Sequence, residues 1–383
     1  MSKQEIKSLT GIRGVAAFGV FLSHASFLGV FGILGAAGVT MFFVLSGFVM
    51  AYTYEKCSFK EWSCCYSFWW KRFARIVPLH WIALLIALIQ LKCLVSGRCD
   101  VLSFGYTVAQ IPVTIFLIHE WFTPGLLMEW NPPCWTLSEE QFFYLLFPLL
   151  TRIPTRLLPH VVVMCILPTF LALFIAPDML YDNGAYLSAF IHQCVILRAC
   201  DFTLGILTAK IVLETPKERL RNISVRGWNL STTSLCLRIT PLLILLLLFV
   251  LPLAYPQRVP SVLGTSTMAP LFALLIGGLA IHDIYPSGNT SWVNSFLSWS
   301  PVYSFGKISF SFYLIHYSFP YYFQDLIDPV VFVLIWFWFV VGLSTTLHVL
   351  VEGPLYKKLL TWKSYSCGCI STPILLSPSS SIV

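Results

Sequence analysis

Charge is what this chain has least of. Asp, Glu, Lys and Arg make up 11% of its 383 residues, less than half of the roughly 25% usual in soluble domains. That shortage excludes a water-exposed surface along most of the chain. Paired metal-ligand spacing is missing as well. Twelve cysteines are scattered, four of them inside apolar segments, and Cys367-x-Cys369 has no matching second pair, so no metal is expected. Cys93, Cys99 and Cys134 can pair with one another only if their loop lies outside the cell. The first apolar segment is followed almost at once by a second, with no small-residue cleavage pattern between them, and so reads as a retained span. No large soluble domain is expected at either end, and no repeat of the inverted-repeat transporter kind is visible.

What is present in quantity is apolar. Hydrophobic residues reach 57% and the mean hydropathy is +0.79. Windows of about 20 mainly apolar residues follow one another with short polar breaks, the length needed to cross a bilayer core of roughly 30 Å. The 13 Trp, 16 Tyr and 31 Phe suit interfacial anchoring and packing in lipid. The reading is an all-α, polytopic membrane protein with about ten transmembrane helices. They fall at 9–30, 34–54, 74–91, 136–150, 157–176, 190–213, 235–254, 264–283, 301–322 and 328–350. A further semi-apolar stretch, Phe104 to His119, is broken by Pro112 and reads as interfacial or re-entrant. Residues 1–355 form one membrane domain. Residues 356–383, rich in Ser and Pro, read as a short, poorly ordered cytoplasmic tail.

The basic residues test this arrangement. With the N-terminus inside, inner segments hold 18 of the 24 Lys and Arg, outer segments hold three, and three sit in or near spans. That bias is the positive-inside pattern for an even number of crossings with both termini cytoplasmic. It accounts for the net charge of +7 without nucleic acid as a partner; the bilayer is the partner it points to.

Ionisable residues inside apolar spans require a partner or a use. His24 lies in the apolar stretch from Val15 to Val30, and Arg13 stands eleven residues before it. At about 100° and 1.5 Å per residue the two share nearly one helix face, about 16 Å apart. Such a pair suits a channel for a long molecule with an anionic head. His24 is a candidate general base. Arg72 and Arg75, three apart at the start of the third span, can face one site and suit phosphate. The segment Trp135-Thr-Leu-Ser-Glu-Glu-Gln-Phe-Phe-Tyr144 places Glu139 and Glu140 side by side, with only one able to face the interior. Arg198 and Asp201, three apart, can neutralise each other. Lys307, His316, His348 and Glu352 read as structural. The residues alone leave three classes open: a transferase, a proton-coupled transporter or flippase, and a non-catalytic interaction protein.

Six stretches narrow this. Gly11-Ile-Arg-Gly14 with His24, Met41-Phe-Phe-Val-Leu-Ser-Gly-Phe48, Lys71-Arg-Phe-Ala-Arg-Ile-Val-Pro78, Trp135 to Tyr144, Ser309-Phe-Ser-Phe-Tyr-Leu-Ile-His316 and Glu352-Gly-Pro354 occur in this order. Together they resemble the acyltransferase-3 family of integral-membrane enzymes, which O-acylate sugars and related acceptors. The resemblance implies about ten helices and acetyl-CoA or another acyl-CoA as a donor bound on the cytoplasmic side. It implies a glycan, glycolipid or small hydroxylated molecule as acceptor. It places the family's essential histidine on His24 and its motif glutamate on Glu140, read as catalytic, and its essential arginine on Arg13 and its arginine pair on Arg72 and Arg75, read as holding the phosphates of the donor. Glu139 stands where members more often carry a small or apolar residue, and Thr10 replaces an acidic residue usual before the first motif.

Overall fold

The structure, a computed structural model, describes residues 5–25, 32–88, 110–122, 131–175, 192–216, 222–225, 228–250, 266–285, 291–318 and 328–362. The apolar runs become helices, because a helix satisfies its own backbone where no water can. They are α1 (Lys7–Ser23), α2 (Gly32–Thr53), α3 (Trp62–Leu88), α4 (Trp135–Leu150), α5 (Leu158–Ile175) and α6 (Val195–Glu214). Then follow α7 (Thr232–Leu245), α8 (Ala269–Ile284), the short α9 (Trp292–Ser298), α10 (Ser300–Ile315), α11 (Pro329–Leu347) and α12 (Gly353–Trp362). Each of the ten segments read from the sequence overlaps one of these helices.

Ile33–Thr53, Ser266–Ile284 and Pro329–Thr361 are each long and apolar enough to cross a membrane. The last runs through α11, a π-helical turn at His348–Glu352 and α12. Val330, Leu334, Ile335, Trp338 and Phe339 are exposed along α11. An exposed apolar strip of that length fits contact with lipid.

Two boundaries differ from the sequence reading. α3 starts at Trp62, twelve residues before the predicted span, because Arg72 and Arg75 turn into the bundle instead of ending the helix at a membrane surface. The expected tail begins with helix: α12 carries residues 356–362, and Trp70 Nε1 donates to the Leu359 carbonyl at 3.1 Å to hold it on α3. Residues 363–383 lie outside the described residues, as do Cys93 and Cys99. Cys134 is fully buried. Its Sγ lies 3.4 Å from His80 Nδ1.

One small sheet was not expected. Asn222–Val225 (β1) pairs antiparallel with Trp228–Ser231 (β2), Asn222 opposite Ser231 and Val225 opposite Trp228. The alternation of Ile223 and Val225 with polar neighbours is the two-residue period of a strand. The stretch 110–122 holds only short helical pieces, too short to cross a bilayer. His80 and Trp81 of α3 hold the carbonyls of Thr114 and Ile115, and Gln141 of α4 holds that of Phe116.

The bundle is built around the crossing of α2 and α6. A side chain on Gly205 would meet the Val44 carbonyl, and one on Gly47 would meet the Phe202 carbonyl. Small residues at such a crossing let two backbones touch. Beside it, buried Arg198 and Asp201 pair at 3.0 Å, and Arg198 also donates to Thr40 at 3.0 Å and Ser266 at 3.4 Å. The mutual neutralisation read from their spacing is what the fold contains. Gly205→Ala is expected to cost about 1–3 kcal/mol through overpacking, seen as a lower thermal unfolding midpoint in detergent. Gly342→Ala, with open space around it, should leave the midpoint unchanged.

Candidate active site

Five helices, α1, α2, α3, α4 and α10, converge on a cavity of about 1020 Å³, counted to its open mouth. Arg13 of α1, Arg72 and Arg75 of α3, Glu140 of α4 and Ser46 of α2 all stand on its wall. Phe42, Phe43, Val49 and Phe310 make the rest largely apolar, and Thr136 and Tyr313 add hydroxyls. Three guanidinium groups face one carboxylate on the wall, an excess of positive charge that suits an anion.

Arg13 owes its direction to glycine. A side chain on Gly11 would meet the Leu297 carbonyl of α9, and one on Gly306 of α10 would meet the Thr10 carbonyl. With α1 pressed backbone to backbone against these helices on that side, Arg13 is left to face the cavity. The start of α1 is tied down by polar contacts. Ser8 Oγ donates to Asp283 at 2.9 Å and Asn294 Nδ2 donates to the same carboxylate at 2.5 Å. Thr10 Oγ1 donates to Glu5 at 3.3 Å, and Tyr303 OH donates to the same oxygen at 2.9 Å. Where Thr10 replaces an acidic residue, a carboxylate is present all the same, from Glu5.

The other two arginines are held in different ways. Arg72 is buried, donates to Tyr54 OH at 3.3 Å and lies 5.8–5.9 Å from the ring centres of Tyr54, Phe68 and Tyr144. Faces of aromatic rings stabilise a cation taken out of water. Its Nε is buried without a hydrogen-bond partner. Arg75 lies 3.8 Å from Glu352, whose other oxygen accepts from Ser311 at 3.1 Å and from His348 at 2.8 Å. The structural reading of Glu352 thus gains a specific content, since it holds Arg75 on the cavity wall.

Glu140 accepts from Ser46 Oγ at 3.0 Å and from Tyr144 OH, one helical turn on. Ser46 Oγ also lies 3.3 Å from Tyr144 OH, so the three form a closed set. Of the adjacent acids, only Glu140 reaches the cavity. Glu139 is fully buried, and neither of its oxygens has a hydrogen-bond partner.

His24 is not on the cavity wall. It forms the C-cap of α1, with its Nδ1 2.9 Å from the Val20 carbonyl and 3.0 Å from Nε2 of His316. His316 Nδ1 is 2.7 Å from the carbonyl of Tyr313, and the Tyr313 side chain lines the cavity. The histidine end and the arginine end are therefore linked through Tyr313. Tyr313 OH also lies 3.0 Å from Thr136 Oγ1. Sequence reasoning missed His316, Tyr54, Ser46 and Glu5 as partners. The last three are common polar residues with no helical spacing to the residues they serve.

Residues 6–351 match the family model described as "Acyltransferase domain". Acyltransferase MdmB of Streptomyces mycarofaciens is 28% identical over 339 residues, covering 82% of this chain and 78% of that protein. Protein 2 in picA locus of Rhizobium radiobacter is 34% identical over 120 residues, 31% of this chain and 56% of that protein. Nodulation protein 10 of Rhizobium leguminosarum bv. viciae is 33% identical over 140 residues, 33% of this chain and 36% of that protein. No solved structure matches the chain.

Because Ser46 and Tyr144 share one carboxylate, their removal should not be additive. Ser46→Ala and Tyr144→Phe are each expected to cost about 1–3 kcal/mol. The double variant should depart from their sum by about 0.5 kcal/mol or more in denaturation measurements.

Proposed function

The chain belongs to the acyltransferase-3 family of integral-membrane O-acyltransferases, and from that premise we propose how its cavity and histidine pair divide the reaction. The protein is an acyl-CoA-dependent transferase that esterifies a hydroxyl of a glycan-like acceptor. The observation that carries the division of labour is the clustering of Arg13, Arg72 and Arg75 on one wall, one helix length from His24.

The three guanidinium groups bind the phosphates of acyl-CoA, the forked donors best matched to phosphate oxygens. The unpaired Nε of Arg72 and the excess of cations over carboxylates both suit an anionic substrate. Glu140 holds the wall of this site in register through Ser46 and Tyr144. The pantetheine arm, on the order of 15–20 Å, is long enough to cover the rise of about 16 Å from Arg13 to His24 along α1. His24 is the general base. The acceptor oxygen attacks the thioester carbonyl carbon, the new C–O bond forms as the C–S bond breaks, and the hydroxyl proton passes to His24. That proton then goes to the departing sulfur, leaving the ester and free CoA thiol. Acetyl is the donor group we favour, as in the resemblance drawn from the sequence motifs.

The same reading has α1 enter from the cytoplasm, ten crossings and both termini inside. The 18 inner against three outer basic residues support it. In this orientation the arginine end of α1 faces the cytoplasmic side, where acyl-CoA is made.

Purified protein given labelled acetyl-CoA and a panel of sugars, glycolipids and small alcohols should transfer label. His24→Ala should lower transfer by about 10²–10⁴-fold, the size of general-base catalysis. Full transfer by His24→Ala would remove the base from this scheme. Arg72→Ala with Arg75→Ala should raise the donor KM at least tenfold, since each lost charged hydrogen bond is worth about 1.5–3 kcal/mol. Unchanged donor affinity would free the pair from that role.

A further inference from the structure

The histidine pair carries information in its hydrogen bonds that His24 alone does not. His24 Nδ1 faces two atoms, the Val20 carbonyl at 2.9 Å and His316 Nε2 at 3.0 Å. A carbonyl oxygen only accepts, so the proton sits on His24 Nδ1. His316 Nε2 must then be the accepting lone pair. The other nitrogen of His316 closes the account, because Nδ1 donates to the Tyr313 carbonyl at 2.7 Å. Of the four ring nitrogens of this pair, three have a determined role. His24 Nε2 is left with a lone pair and is the atom able to take a proton.

The Val20 carbonyl is a shared acceptor, since Ser23 Oγ already donates to it at 2.6 Å. His316 is the acceptor dedicated to His24, and it comes from a different helix. It is fully buried, its ring stacks on Phe312 with centroids 6.2 Å apart, and Trp336 Nε1 of α11 donates to its backbone carbonyl at 2.8 Å. A ring so confined cannot turn away. A base whose far nitrogen donates to a fixed acceptor is held in orientation, and the positive charge formed on it is stabilised. The aspartate of a serine protease triad does the same for its histidine.

We propose that His316 is the positioning residue of the reaction, accepting the Nδ1 proton of His24 so that Nε2 is presented as the base. The proposal rests on His24 being the base, and it adds which atom acts and what holds it.

Two measurements test it, one of them independent of turnover. In protein labelled with ¹⁵N-histidine and held in nanodiscs, magnetic resonance should show a ¹⁵N–¹⁵N coupling across the bond between His24 Nδ1 and His316 Nε2. Absence of that coupling overturns the proposal, whatever the kinetics. His316→Phe keeps the ring volume without an acceptor, and His316→Gln places an amide oxygen near the position of Nε2. The phenylalanine variant is expected to lose about 10–100-fold in kcat, part of the total that a general base contributes, with the donor KM within twofold of the parent. The glutamine variant should recover at least a third of the parent kcat. Parental kcat in His316→Phe overturns the proposal, and so does a glutamine variant as slow as the phenylalanine one. If His24→Ala retains transfer while the coupling is present, the base assignment fails and the hydrogen bond stands as structure alone. Should His316→Phe not fold, the coupling in the parent protein and the rate of His316→Gln still decide.

Discussion

Holding three guanidinium groups inside an apolar bundle is the constraint on which the rest of this structure depends. A charge removed from water costs several kcal/mol unless its surroundings replace the lost solvation. Each arginine is met by a different device. Arg72 has an aromatic box and the Tyr54 hydroxyl, and Arg75 has Glu352, itself held by two donors. Arg13 shares the cavity with Glu140. These partners come from α2, α3, α4 and the π-helical turn after α11. None of those elements can slide or rotate without leaving a charge unmatched. The cavity is thus specified by the same pairings that make it tolerable.

The second constraint is the close approach of backbones at glycine. α1 touches α9 and α10 at Gly11 and Gly306, and α2 touches α6 at Gly47 and Gly205. In lipid there is no hydrophobic force between helices, and close packing must supply what it can. The consequence for function is positional. α1 is fixed against its neighbours near Arg13 and again at its end, where His24 meets His316. One rigid rod therefore sets the separation between the proposed donor site and the proposed base.

Much of the fold was legible because apolar runs in a membrane chain leave few alternatives. All ten predicted segments overlap helices, and family membership agrees with the motif order. Errors fell where charge was taken as a boundary. The start of α3 was read too late because Lys71, Arg72 and Arg75 resemble a membrane flank, whereas two of them point into a cavity within the helix. The hairpin at Asn222–Ser231 was missed because four-residue strands leave only a faint period. His316 was read as structural because a histidine next to aromatic residues gives no sign, in one dimension, of a partner 292 residues away.

Hydropathy and basic-residue placement, both local properties, determined from the chain itself that it is a helical membrane protein. The order of short motifs determined its family. Arg13, Arg72, Arg75, Glu140 and His24 could be named from those motifs. Only the tertiary structure decided that the first four share one cavity while His24 stands apart with His316, reached through Tyr313. It also put Glu140, the one that the motif named, on the cavity wall and buried Glu139 away from it. The reason is geometric. Adjacent helical residues point about 100° apart, and which of the two directions meets Ser46 and the arginines depends on how helices distant in sequence are turned against one another.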